Sequence, residues 1–240
     1  MRLITVPGVF RPRSDSVLLA ELAAARLRPG ATALDPFTGS GILAVAAALA
    51  GARATAIDVS RRAVACARLN ARLNGVRVAA VHGDLFDPVA GRRFDLIVAN
   101  PPYVPGPVDG PVRGAARAWE GGDNGRSLID RLCDEVSDHL EPGGELLMIH
   151  SHVCGEEATT RRLQAAGLAV EVIERRTGPL GPLMATRREE LEWRGLLAPG
   201  AREEELLVFS ARAAGRTKPW QAPASPLTET APTSSAASSS

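Results

Sequence analysis

The stretch Ala31–Gly51, ATALDPFTGSGILAVAAALAG, changes its pattern part-way along. ATALD (31–35) reads as a short buried strand that ends on an acid. Gly39 and Gly41 follow, where a tight turn needs residues without a Cβ. GILAVAAALAG (41–51) then reads as an apolar helix stopped by Gly51. A strand, a glycine-rich turn and a helix are the start of an α/β unit, and the rest of the chain repeats that alternation. ARATAID (52–58) is a strand. Ser60 caps the helix RRAVACARLNARLNG, with Gly75 as its terminating residue. VRVAAVHGD (76–84) and RFDLIVAN (93–100) are strands. Upstream, Ser14 or Asp15 caps a helix through SVLLAELAAARL, ended by Pro29-Gly30. Downstream come a helix near 127–140, a PGG turn, the strand ELLMIHS (145–151), a helix near 155–166 and the strand AVEVIERR (169–176). An arginine-rich segment near 187–195 and a last strand, EELLVFSAR (204–212), complete the pattern. The predicted fold class is α/β, a mostly parallel sheet with helices on both faces.

Of 240 residues, 45% are hydrophobic, ample for one core. No run of about 18 apolar residues exists, and MRLITVPGVFRPRSD lacks the apolar centre of a signal peptide, so the expected location is cytoplasmic and no membrane partner is expected. Cys66, Cys133 and Cys154 have no C-x-x-C spacing and read as reduced thiols, with no metal site. The formal net charge is +1, and residues 1–213 carry equal numbers of acidic and basic side chains. Proteins that grip nucleic acid usually present an electropositive face, so this balance argues against that class without excluding a local patch. Residues 1–213 are expected to form one domain. Residues 214–240, rich in Pro, Ser, Thr and Ala, are expected to be a disordered tail in which Trp220 is the one sticky side chain.

Open α/β sheets bind ligands beyond the carboxyl ends of their strands, where the strand order reverses. The strand ends are therefore the candidate site. The first carries Asp35, Phe37, Thr38, Gly39 and Gly41. The second carries Asp58 and Val59, with Asp58 placed to accept hydrogen bonds from two ribose hydroxyls. The third carries Asp84 and Leu85, suited to an exocyclic amino group and the flat face of a base. No lysine follows the glycine turn, so no phosphate-gripping loop is present. Three acids at three strand ends would repel a pyrophosphate. They suit a neutral or cationic nucleoside, and S-adenosyl-L-methionine has that character.

The fourth strand runs into Asn100-Pro101-Pro102-Tyr103, which contains the only tyrosine. Each proline fixes φ and removes a donor, which stiffens the chain and leaves carbonyls facing outward. The Asn100 side chain and the Pro101 carbonyl are two acceptors, enough to hold both hydrogens of a planar –NH2 group. Tyr103 supplies a flat face beside it. That geometry suits methyl transfer to nitrogen through positioning and preorganised electrostatics. Asn100, Pro101, Pro102 and Tyr103 are thus the candidate catalytic residues, and Asn100 also borders the cofactor site.

GVFRPRSDSVLLAELA, LDPFTGSG, AIDVS, GDLF, NPPYVP, ARAWEGGDNGRSLIDRL, LEPGGELLMIHS and RRTGPLGPL together resemble the class I S-adenosylmethionine-dependent methyltransferases that carry an NPPY motif. More narrowly, they resemble the HemK-related protein glutamine N5-methyltransferases. The resemblance implies a Rossmann-like sheet of seven strands with one antiparallel edge strand. It also implies transfer of a methyl group to the Gly-Gly-Gln glutamine of a peptide-chain release factor. Arg13, Asp15 and Ser16 would lie where the N-terminal segment folds over the site. Gly121-Gly122 and Asn124-Gly125-Arg126 would form a cleft wall. The compact form matches the short branch of the family, which works with a small accessory subunit. DPFTGSG is also common among nucleic-acid amino-methyltransferases, which makes a nucleobase the second reading and a small-molecule amine the third. The nucleobase reading requires the pairs Arg161-Arg162, Arg175-Arg176 and Arg187-Arg188 to form one basic stripe around the NPPY mouth. His150-x-His152 lacks a third ligand at sensible spacing.

Overall fold

A computed structural model describes residues 1–106 and 120–215. The expected tail from 216 onward, with Trp220, and the ARAW part of the quoted loop (116–119) lie outside the described residues. The strands are β1 (Thr32–Asp35), β2 (Arg53–Asp58), β3 (Val78–His82), β4 (Phe94–Ala99), β5 (Leu140–Ser151), β6 (Ala169–Pro179) and β7 (Glu203–Arg212). They form one seven-stranded sheet in the order β3-β2-β1-β4-β5-β7-β6. β1 pairs in parallel with β2 and β4, and β4 with β5. The antiparallel pairing expected at one edge is there, and its reversed strand is the penultimate one: β7 slots between β5 and β6 and runs against both.

The helices are α1 (Ser14–Arg26), α2 (Ile42–Leu49), α3 (Arg61–Leu73), α4 (Ser127–Glu135), α5 (Glu156–Ala165), α6 (Pro182–Thr186) and α7 (Arg188–Trp193). Alternation along the strands splits the core into two layers, because successive side chains point to opposite faces. Leu34, Ile97, Leu146 and Phe209 pack on one face with Ile129, Leu132 and Cys133 of α4 and Leu163 of α5. Leu96, Val98, Leu147 and Val208 face the other way, against Leu18 and Leu19 of α1 and Ile42 and Leu43 of α2. A third, alanine-rich cluster seats α3 through Val64 and Ala67, where small side chains let the helix approach closely.

Three local expectations are corrected. Neither Ser14 nor Asp15 caps α1: the helix starts at Ser14, Arg13 holds the cap position with no side-chain bond, and Asp15 is buried inside the first turn. The helix after Ser127 gives way to a 3-10 turn at Val136–His139. The PGG segment lies within β5 and coincides with a register shift between Phe94 and Leu96 of β4, so it is an irregularity in the strand and not a turn before it. Ser60 does cap α3, accepting from the Ala63 N–H, and Gly75 follows with φ 68°.

Candidate active site

The strand order reverses between β1 and β4, so Asp35 and Asn100 close neighbouring strands at the point where such sheets open a crevice. A cleft of about 1350 Å³ lies there. Its floor includes Phe37, Gly39, Asp58, Val59, Asp84, Leu85, Asn100, Pro101, Pro102 and Tyr103, which gathers most of the predicted site into one space. The N-terminal segment roofs it: residues 8–15 line the cleft, and Phe10 lies over Gly39. The far wall comes from the end of β6 and the start of α6.

Asp35, Thr38 and Gly41 are buried beneath the glycine turn and do not line the cleft. The physical reason is local bonding. Asp35 accepts from Thr38 Oγ1 at 2.8 Å and from the N–H groups of Phe37 and Ala44, both at 3.3 Å, so its carboxylate pins the turn from below. Burial raises its pKa to about 7 despite those donors. Gly41 sits at φ 88°, and a Cβ there would lie 2.8 Å from the Ala67 backbone of α3, so only glycine fits.

Asp58 lines the cleft and holds the turn from the other side. Its Oδ2 accepts from Gly39 N–H at 2.9 Å and its Oδ1 from Ser60 N–H at 2.8 Å. Each oxygen keeps a lone pair for a ligand hydroxyl. Burial raises the Asp58 pKa against these two bonds. Asp84 is shared: Arg131 of α4 donates to its Oδ2 at 3.0 Å, and both side chains are half exposed. Leu85 beside it has φ 44°, the one positive value of a non-glycine among the described residues, while its side chain is buried.

At the β4 end, the Asn100 amide is locked. Its Nδ2 donates to Asp15 Oδ2 at 3.0 Å and to Ser16 Oγ at 3.2 Å. A carboxylate can only accept, so Asp15 fixes which end of the amide faces it. Asn100 and Pro101 both line the cleft, and neither Asn100 Oδ1 nor the Pro101 carbonyl accepts a bond from the described residues. Tyr103 packs on the core with its hydroxyl 3.5 Å from Asp15 Oδ2. Burial, then the Asp15 charge, raises its pKa well above the ordinary tyrosine value, so it stays a neutral ring with a donor. The sequence reading placed Asp15 and Ser16 near the site but did not give them this role.

Of the expected GGDNGR wall, Gly122 lines the cleft, whereas Arg126 is buried and donates to Asp130, Thr159 and the Cys154 carbonyl. Gly121 N–H bonds the Val104 carbonyl at 2.9 Å, and Gly106 N–H bonds the Gly122 carbonyl at 2.8 Å. A Cβ on Gly125 would strike the Tyr103 carbonyl and stand 2.9 Å from Cys154 Sγ, so the wall presses on the NPPY backbone. Arg187 donates to the Pro105 carbonyl at 2.8 Å and pairs with Glu120, and Arg194 donates to the Gly106 carbonyl at 2.9 Å and to the Asp123 carbonyl.

The arginine pairs are engaged by acids: Arg176 lines the cleft and Arg187 meets Glu120 beside it. Arg161 meets Glu157, Arg162 meets Asp130 and Asp134, Arg175 meets Glu156 and Glu205, Arg176 meets Glu174, and Arg188 meets Glu192. Their charge is spent on neighbouring acids. His150 is buried, bonded to Thr159 Oγ1 at 2.9 Å and stacked on Phe209, and burial lowers its pKa to about 4. His152 accepts from Glu205 N–H. No helix of the described residues is long and apolar enough to cross a membrane.

A reversed-order parallel sheet with an acid-tipped, lysine-free glycine turn and an NPPY corner defines a class I methyltransferase. The family description "Methyltransferase small domain" matches residues 1–112. The protein of Methanocaldococcus jannaschii assigned as a protein N5-glutamine methyltransferase is 34% identical over 181 residues, 74% of this chain and 90% of that one. The release factor glutamine methyltransferase of Geobacter sulfurreducens is 35% identical over 153 residues, 60% of this chain and 54% of that one, so the chain spans about half the length of this bacterial relative. Among solved structures, a chain of the E. cuniculi Mtq2–Trm112 complex, responsible for methylation of the eRF1 termination factor, superposes with a TM-score of 0.56 at 20% identity. The match covers 86% of this chain and 99% of that one and shows the shared fold. The chain belongs to the HemK-related family of protein N5-glutamine methyltransferases, which makes it an S-adenosyl-L-methionine-dependent N-methyltransferase.

Proposed function

We propose that this chain methylates the side-chain amide nitrogen of a glutamine in a peptide-chain release factor. The observation that carries the reading is the locked Asn100 amide: Asp15 and Ser16 take its donors, which leaves Asn100 Oδ1 and the Pro101 carbonyl as two acceptors on residues that line the switch-point cleft. These two acceptors take the two hydrogens of a primary amide and turn its nitrogen toward the cofactor side. Tyr103 lies flat against the amide plane.

The cleft residues fit S-adenosyl-L-methionine. Asp58 keeps free lone pairs for ribose hydroxyls, Asp84 with Leu85 receives the adenine, and Phe37 and Gly39 border the methionine end. Val59 adds an exposed apolar edge beside Asp58. Asp35, Thr38 and Gly41 act from beneath, holding the turn. When bound, the cofactor supplies an electrophilic methyl group. The protein's own work is to orient the amide, desolvate it and draw partial positive charge onto its nitrogen. A strong base is unnecessary, because a methylated, positively charged amide nitrogen is very acidic. Neutralised arginine pairs place a nucleobase substrate second. A small accessory subunit belongs to the proposal, as the solved relative is a two-protein complex.

The test incubates the chain with radiolabelled cofactor and a release factor, alone and in host extract. Label should appear in a protease-sensitive, nuclease-resistant product on a glutamine. Label that nuclease removes would overturn the reading.

A further inference from the structure

Glu204, at the start of β7, lines the cleft beside Gly181 and is only 8% exposed. Its Oε1 accepts from Gly181 N–H at 2.9 Å. Its Oε2 is buried with no hydrogen-bond partner among the described residues. Arg13 of the N-terminal roof approaches Gly181, and among the described residues no ion pair joins it to Glu204. Glu204 lines the same cleft as Asn100, Pro101 and Tyr103, and its charge, like that of Asp15, bears on the Tyr103 hydroxyl. A buried carboxylate oxygen without a donor is costly, so Glu204 Oε2 calls for a donor from water or from a ligand in the cleft.

We propose that Glu204 Oε2 is an anchoring acceptor for a backbone N–H of the methyl-accepting chain, next to the side chain held by Asn100 and Pro101. A carboxylate is a strong acceptor, and an extended peptide offers donors at regular spacing. The inference rests on the glutamine reading above. It adds a residue that recognises the substrate's main chain and so sets specificity for a peptide over a free amide.

The experiment compares wild type with Glu204→Gln and Glu204→Ala, using the release factor and a short peptide containing Gly-Gly-Gln. Glu204→Gln retains an oxygen for Gly181 but can place donors where Oε2 was. Both variants should raise KM for the protein substrate about tenfold or more. Turnover number should stay within about threefold, and affinity for S-adenosylhomocysteine, which also reports folding, should not change. Peptides with one amide at a time replaced by an ester then locate the contact. One ester should weaken wild type and leave Glu204→Ala indifferent, which is the coupling a shared bond requires. Unchanged KM in both variants, or esters that affect wild type and Glu204→Ala alike, would overturn the proposal while leaving the glutamine reading standing. A wild-type enzyme that labels neither release factor nor peptide would instead bring down the glutamine reading, and this inference with it.

Discussion

The two halves of the cleft are built by different means. On the cofactor side, Asp35 is held by donors close by in sequence, Thr38, Phe37 and Ala44, and Asp58 by Ser60 two residues on and by Gly39 of the neighbouring turn, 19 residues back. On the acceptor side, partners are distant in sequence: Asn100 with Asp15, Arg187 with Pro105, Arg194 with Gly106. The cofactor side spends its carboxylates on shaping backbone. The acceptor side leaves oxygens open, at Asn100, Pro101 and Glu204. The turn is thus closed by bonds within the fold, whereas the proposed function assigns the open oxygens of the NPPY corner to the substrate.

Mutations can separate the halves. The largest effect is expected for Asn100→Ala, which removes one open acceptor: single-turnover methyl transfer should fall by roughly a thousandfold, with S-adenosylhomocysteine affinity nearly intact by calorimetry. Equal loss of transfer and affinity would erase the distinction between the halves. Asp15→Ala comes next. It frees the Asn100 amide to rotate, and turnover should fall about thirtyfold to a hundredfold with cofactor affinity kept. An unchanged rate would show that the lock is not needed. Gly125→Ala should cost about 2 kcal/mol in urea unfolding, since it meets the Tyr103 carbonyl at a positive φ.

The smallest effect is electrostatic. Asp35 has its pKa raised from 3.8 to about 7, so the fold favours its neutral form. That contribution is fully present below about pH 4 and is lost as pH rises toward 7. Denaturant titrations should therefore show wild type losing of order 1 kcal/mol relative to Asp35→Asn between pH 5 and pH 6.5. Parallel pH curves for the two proteins would mean that the folded protein already holds Asp35 charged.

The same contrast explains what the sequence revealed. The cofactor side was legible because its signals are local: an acid closing each strand, glycines in the turn, Ser60 capping the next helix. The NPPY corner was legible because two prolines after an asparagine have few other uses at a buried strand end. Three things were not. Asp15 looked like a helix cap, because nothing in SDSVLLAE tells that its carboxylate turns inward to an asparagine 85 residues away. Glu204 looked like one of three consecutive acids at the start of a strand, and only packing buries it. The PGG of β5 looked like a turn because its pairing to β4, with the register shift, is set by tertiary contact. Strand position also depends on long-range pairing: periodicity identified β7 as a strand but could not insert it between β5 and β6.

The segment between β6 and β7 has a small core of its own, in which Met184, Leu191 and Leu197 meet Val153. From that base Arg187 and Arg194 reach across to the carbonyls that follow Tyr103. The walls of the mouth are thereby fastened to one another before any guest arrives. The conformational freedom they give up is surrendered during folding, so a visiting chain has only its own freedom left to lose.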